Sequence, residues 1–203
     1  MIDYDFIEIG TCCFDTLIQE CDINAVGLSV EPIKYYLDKL PEKPNVKKVN
    51  CAISFDNTES DIDVYFIPES VLISNNLPIG LSGCNRIGEF HPHHISKKLT
   101  HLVSVEKVKQ KTLLNFLKEY NVRKVKHLKL DTEGGDCFIL NSLANYLQDR
   151  DRMFYPEKIT FETNLLTEMS IIESTVNLFI NLGYSIESRN NWYKDGNTIL
   201  VLN

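Results

Sequence analysis

Several large protein classes are excluded by what this chain lacks. It has no apolar run long enough to cross a bilayer. Its opening, MIDYDFIEIG, has neither the basic start nor the apolar core of a signal peptide. The expectation is a cytoplasmic protein with no membrane partner. None of the six cysteines belongs to a CxxC pair, so the strong zinc signatures are missing. Without a secretory signal the thiols are expected to be reduced. Positive charge is also short: 21 Lys and Arg stand against 28 Asp and Glu, for a net charge of −7. A chain this acidic lacks the field that drives binding to phosphate backbones, and no nucleic-acid partner is expected. The basic stretches VEKVKQKT and VRKVKH read as solvated faces. There is no internal repeat and no low-complexity tract. The composition says nothing about oligomeric state.

Glycine is missing where a dinucleotide fold needs it. Residues 7–16 read IEIGTCCFDT, a short apolar strand followed by the turn former Gly10. In a G-x-G-x-x-G turn, bare backbone N–H groups cradle a pyrophosphate. Here Cys12 and Asp15 replace the second and third glycines, and the Asp15 carboxylate repels a diphosphate. A nicotinamide-dependent Rossmann oxidoreductase is therefore the weaker alternative. A phosphate-free nucleoside cofactor such as S-adenosylmethionine has less need of those glycines, and its cations suit an acidic site. Glu8 ends the first strand, and Glu31 ends the second, twenty-one positions after Gly10, where a carboxylate accepts hydrogen bonds from a ribose diol. Each has a plainer reading, Glu8 as a strand-end charge and Glu31 as a carboxylate before a helix N-terminus. Their placement at neighbouring strand ends with Gly10 between them favours a nucleoside site. The Cys12–Cys13 pair reads as packing residues, with a thiol activated at a helix start as the alternative.

Hydrophobic spacing sets out the remaining elements. Strands are expected over 5–10, 25–31, 46–54, 62–67, 101–108, 125–131 and 157–164, followed by a terminal hairpin-like pair. The 62–67 strand alternates like an antiparallel or edge strand. Helices are expected at 13–21, with Phe14, Leu17, Ile18 and Cys21 on one face, and from Pro32 to about residue 40. Others are expected at 111–120, at 137–147 capped by Asp136, and at 168–182 closed by Gly183. Residues 68–100 are rich in Gly, Pro, His and Asn, and a long irregular segment of this kind is usually functional or mobile. The expectation is one domain, 1–203, with 68–100 an acceptor-binding insertion. Strand–helix alternation indicates an α/β fold, a mostly parallel sheet with helices on both faces. Ligands of such sheets bind beyond the carboxyl ends of the strands, which points to Glu8–Gly10, Glu31, Ser54, Asp131–Glu133 and Glu162–Asn164.

The segment LKLDTEGGDCFIL (128–140) resembles the strand–turn–helix signature of FkbM-type methyltransferases, in which a strand ends in Asp and Glu-Gly follows two residues later. DFIEIGTCCFDTLI resembles the first motif of that family, GLSVEPIKYYLDKLP the second, and NCAIS its adenine-side segment. The resemblance runs from about residue 5 to residue 165. It implies the class I methyltransferase (Rossmann-like) fold, a seven-stranded sheet parallel apart from its last strand, with S-adenosylmethionine as cofactor. It also implies methyl transfer to an oxygen, often a sugar or glycan hydroxyl. On this sequence it sets Glu8, Gly10 and Thr11 beside the methionine moiety, Glu31 at the ribose, Ala52 and Ile53 near the adenine, and Asp131 and Glu133 at the reaction centre. Cys12, Cys13 and Phe14 depart from the family pattern.

On the acceptor side, Asp131 is the first choice to take the hydroxyl proton, with Glu133 second. Gly134 and Gly135 read as turn formers. In GEFHPHHI, His91 reads as a neutral imidazole able to exchange a proton near pH 7, and His94 as a further acceptor contact. Zinc is disfavoured there, because Pro92 interrupts the run and no H-E-x-x-H accompanies it. Asn85 and Arg86 are candidates to bind sugar hydroxyls, and Glu162 is a further substrate contact. Asp131, Glu162 and Asn164 also make an oxygen set for Mg²⁺, weighed against a hydrogen-bonded carboxylate without metal, which is preferred. The Trp192–Tyr193 pair is expected to edge the acceptor cleft. A non-catalytic nucleoside-binding module is the remaining alternative.

Overall fold

The alternation of strands and helices closes into a seven-stranded sheet. The computed structural model describes residues 1–190 and 196–203. The chain begins with β1 (Ile2–Ile9), α1 (Leu17–Glu20), β2 (Gly27–Val30), α2 (Lys34–Lys39), β3 (Val46–Val49) and β4 (Ala52–Ile53). It continues with β5 (Asp61–Phe66), α3 (Glu69–Ser74), β6 (Arg86–Ile87), α4 (Pro92–Ser96), β7 (Ser104–Lys111) and α5 (Leu113–Glu119). It ends with β8 (Val122–Leu130), α6 (Asp136–Leu147), β9 (Lys158–Glu162), α7 (Met169–Asn181), β10 (Tyr184–Arg189) and β11 (Asn197–Leu202).

The main sheet runs in the order β10-β11-β9-β8-β1-β2-β3. Its pairings are parallel except for those of β11, which opposes both β9 and β10. The mostly parallel sheet with one reversed final strand is the one expected. Successive residues of β1 serve opposite faces, as strand geometry requires. Phe6 packs with Ile18, Leu37 and Leu40 on the side of α1 and α2. Ile7 and Ile9 pack with Phe116, Leu140 and Phe179 on the side of α5, α6 and α7. Both faces are covered, which is why the central strands read as nearly continuous apolar runs. In α7, Ile172, Thr175, Val176 and Phe179 form the buried stripe. Each large apolar side chain there contributes about 1.5–3 kcal/mol by leaving water. Gly183, at φ +96°, ends the helix.

After β3 the chain leaves the main sheet. β5, β6 and β7 join β4 in a second sheet of order β4-β7-β5-β6, parallel between β4 and β7 and antiparallel elsewhere. The stretch 68–100 is a crossing between β5 and β7. It contains α3, a 3₁₀ turn at Ile79–Gly83, β6 and α4, leads into a second 3₁₀ turn at Thr100–Leu102 and is built around a small core of Ile67, Leu72, Leu81 and Leu99.

Local chemistry shifts several elements from their expected bounds. The 46–54 strand divides at Asn50, whose side-chain amide donates to the carbonyls of Glu31 and Pro32. The helix expected at 13–21 is reduced to α1, because Asp15 is left-handed at φ +53° and Phe14 remains outside it. The helix after Pro32 begins only at Lys34, since the Glu31 carboxylate holds the Ile33 N–H at 2.9 Å. Asp136 does not cap α6; Gly135 is the N-cap. The Asp136 carboxylate instead accepts the Thr132 N–H and the Glu162 N–H, each at 2.8 Å, and pairs closely with the Thr132 hydroxyl. This clip ties the turn after β8 to the end of β9.

The turns after β1 and β8 touch at Gly10. A Cβ at this position would lie 1.8 Å from the Asp131 carbonyl oxygen, and its φ of +83° is one that L side chains rarely adopt. Gly10→Ala is therefore expected to cost at least about 2 kcal/mol, measured by denaturant unfolding. Wild-type stability in this variant would show that the two turns are not in contact.

Candidate active site

The strands diverge around a cavity of about 940 Å³ above the carboxyl ends of β1, β2, β4, β8 and β9. It sits where the strand order reverses between β1 and β8, the position at which open α/β sheets bind ligands. Gly10, Thr11 and Asp131 line its floor, and Glu31, Ala52 and Ile53 line one side. Asn85, Arg86, His91 and Glu133 line the side made by the crossing, and Glu162 faces them from the end of β9. These eleven expected residues, separated in sequence, meet around one space. Glu8 and His94 do not line it.

Strand pairing explains the position of Glu8. Glu8 on β1 is the register partner of Lys129 on β8. Its buried carboxylate accepts from Lys129 Nζ at 2.8 Å and from the Leu17 N–H at 2.8 Å. It is thus committed to joining two strands and starting α1, and it does not line the cavity. Lys129, absent from the sequence reading, does line the cavity. It lies two residues before Asp131, on the same face of a strand, and that spacing was the available signal. Its ammonium also donates to the Asp15 carbonyl at 2.6 Å, which leaves one of its three protons uncommitted by these contacts. His94 is fully buried, with neither ring nitrogen hydrogen-bonded among the described residues. Burial pulls its proton affinity down to about 4, so the ring is a neutral packing group against His91, at 5.6 Å between centroids.

Glu31 is only 2% exposed. One of its oxygens accepts the Cys12 N–H at 2.7 Å and the other the Ile33 N–H at 2.9 Å. Burial pushes its carboxyl up to about 7 despite those two donors. Cys12 adopts φ +46°, so this position keeps a left-handed backbone without the glycine that usually provides it. Its side chain packs with Ile33 and Tyr36. Burial and the Glu31 charge push its thiol up, which makes it a packing group and not an activated nucleophile.

Asp131 directly follows the central strand β8, with its side chain exposed and lining the cavity. Enclosure, and then the charges of Asp136 and Glu133, push its carboxyl up to about 7, against the pull of Lys129. Among the described residues, no group of three or more His, Cys, Asp and Glu side chains is arranged to hold a metal ion. The Mg²⁺ set of Asp131, Glu162 and Asn164 thus finds no support in the side-chain positions. Trp192 and Tyr193 lie outside the described residues.

A seven-stranded sheet in this order, with one reversed strand and an acid-lined cavity over its switch point, defines the class I methyltransferase architecture. The chain belongs to the FkbM methyltransferase family: the family's domain, described as Methyltransferase FkbM domain, matches residues 7–186. Among solved structures the chain is similar to the Methanococcus jannaschii fibrillarin pre-rRNA processing protein, at 8% identity and a TM-score of 0.38. That match covers 98% of this chain and 66% of the other. No curated protein matches the chain. No helix among the described residues is long and apolar enough to cross a membrane.

The raised carboxyl of Asp131 has a consequence for stability. A carboxyl that holds its proton more tightly when folded favours the folded state at low pH, and that advantage is lost as pH rises from about 4 through about 7. Asp131→Asn removes the cost of the enclosed charge. Because the side chain is open to water in the cavity, the gain is discounted to about 1 kcal/mol, or about 3 °C in Tm at pH 8, with a smaller gain at pH 5. A variant less stable than wild type at pH 8 would contradict this assignment.

Proposed function

We propose that the protein is an S-adenosylmethionine-dependent O-methyltransferase acting on a sugar or glycan hydroxyl. One observation carries the reading: Asp131 and Glu31, at the carboxyl ends of separate strands, line one cavity together with the Gly10 turn, which packs against the Asp131 backbone.

The lining residues fit the cofactor. Each Glu31 oxygen has taken one backbone N–H and keeps a lone pair for a ribose diol. Ala52 and Ile53 offer an apolar wall to adenine. Gly10 and Thr11 bring backbone to the methionine end, and the third Lys129 proton suits its carboxylate. When bound, S-adenosylmethionine supplies a methyl group on a sulfonium. The protein contributes alignment and proton handling. A hydroxyl is a weak nucleophile until its proton is being removed. Asp131 accepts that proton, and its raised affinity makes it a stronger base than an ordinary carboxylate.

The acceptor wall favours a polyhydroxylated compound. Asn85 lines the cavity side of the crossing, and its buried Oδ1 has no hydrogen-bond partner among the described residues, which leaves it a capacity to accept a hydrogen bond from a hydroxyl. Arg86 and Glu162 add polar groups nearby. In this reading the chain is one domain and residues 68–100 are its acceptor-binding insertion. Family membership removes the nicotinamide oxidoreductase alternative.

Calorimetric titration with S-adenosylmethionine and its demethylated product is expected to show binding. Glu31→Ala is expected to weaken it about 30-fold. Asp131→Asn is expected to bind within about threefold of wild type while losing about 100-fold in labelled-methyl transfer to free sugars or oligosaccharides. A folded protein that binds neither compound overturns the reading. Binding without transfer to any acceptor in such a panel leaves a nucleoside-binding module, and equal loss of binding in both variants contradicts the division of roles.

A further inference from the structure

The crossing grips the β8 turn at Glu133. His91 is the N-cap of α4 and is 1% exposed. Its Nδ1 accepts the His93 backbone N–H at 3.1 Å. A ring nitrogen that accepts a hydrogen bond carries no proton, so the single proton of the neutral imidazole sits on Nε2. Burial, and then the Arg86 charge, pull the ring's proton affinity down to about 4, which keeps it neutral at pH 7. Nε2 lies 3.1 Å from Glu133 Oε2. The contact is therefore an N–H donated to a carboxylate and not an ion pair.

Arg86, on β6, grips the same residue elsewhere. Its Nη1 donates to the Glu133 carbonyl at 2.9 Å, and its Nε donates to Glu89 at 2.8 Å. Two residues of the crossing thus hold Glu133 by side chain and by backbone. Glu133 is at φ +54°, a conformation that costs a residue with a Cβ about 1 kcal/mol or more and persists only where the surroundings impose it.

We infer that His91 is a positioning residue and not the acid–base group: its neutral Nε2–H locks Glu133 over the β8 turn, so that the acceptor-side crossing holds the carboxylate neighbour of Asp131. This inference rests on the reading of Asp131 as the base. Charged groups acting on Asp131 include Lys129 on β8, Glu8 on β1, Glu31 just after β2, Glu133 in the turn and Asp136 on α6, and Glu162 at the end of β9 lines the same cavity. Glu8 is paired with Lys129, Asp136 is held by Thr132 and the Glu162 amide, and Glu31 is held by two amides. Glu133 is the member of this set that the crossing positions. The groups around His91 are Arg86, His93, His94 and Glu133.

Nitrogen-15 NMR of the His91 ring is expected to show the neutral Nε2–H tautomer, unchanged from pH 5.5 to 8.5 (roughly the range in which an unperturbed His titrates). A ring that titrates in that range, or that carries its proton on Nδ1, overturns the inference. Carbon-13 NMR of the Asp131 carboxyl is expected to show its midpoint falling by about 0.5–1 pH unit in Glu133→Gln and in His91→Ala. His91→Gln, which keeps a donor near the Nε2 position, is expected to stay close to wild type. These spectra need neither cofactor nor acceptor, so they remain readable if the methyltransferase reading fails. In turnover, His91→Ala is expected to lose about tenfold in kcat with cofactor Kd unchanged, and His91→Gln to recover most of it. If His91→Ala does not fold, Glu133→Gln carries the test. An unshifted Asp131 midpoint in Glu133→Gln, or a His91→Gln as inactive as a folded His91→Ala, overturns the assignment.

Discussion

Contact between two turns governs the rest of the site. The β1 turn passes so close to the β8 turn that a single Cβ at Gly10 would enter the Asp131 carbonyl. The Asp131 N–H donates to the Ile9 carbonyl at 2.9 Å, and the Gly10 N–H to the Val30 carbonyl at 2.9 Å. Three central strands therefore end at one level, and their terminal side chains face a common space. The sheet provides this economically, since parallel strands present all their carboxyl ends on one side.

Negative charge enclosed in that space carries a cost. Glu31 and Asp131 both hold protons far more tightly than free carboxylates, because enclosure penalises their ionised forms. The fold offsets part of the cost with backbone N–H groups at Glu31 and with Lys129 near Asp131. What remains uncompensated suits a cation-bearing ligand and a proton-accepting role. Glu8 and Asp136 are fully buried and are engaged as clips between elements. Two carboxylates thus hold the frame, and two serve the cavity.

Much of this was legible in the residues themselves. Strand–helix alternation, the Gly10 turn, the strand-end Glu31 and the DTEGG turn identified the sheet and most of the cavity's wall. The errors have physical causes. Glu8 was read by its place at a strand end, but register pairs it with Lys129, and register is not visible in one strand alone. Asp136 was read as a cap from its position before a helical run, but its carboxylate turns back toward Thr132 because the β8 turn leaves that N–H to be satisfied. His94 sits in the same short run as His91, but one turn of α4 sends the two rings to different surroundings.

The sequence by itself determined where most of the longer strands and helices lie, because hydrophobic period and turn chemistry act over a few residues. It also determined the departure from a pyrophosphate turn, since Cys12 and Asp15 are local facts. Tertiary structure alone decided which acids face the cavity and which are spent as clips, how His91 came to hold Glu133, and where Asn85 points. Those outcomes depend on contacts between residues tens of positions apart, made by chain packing that no local pattern encodes.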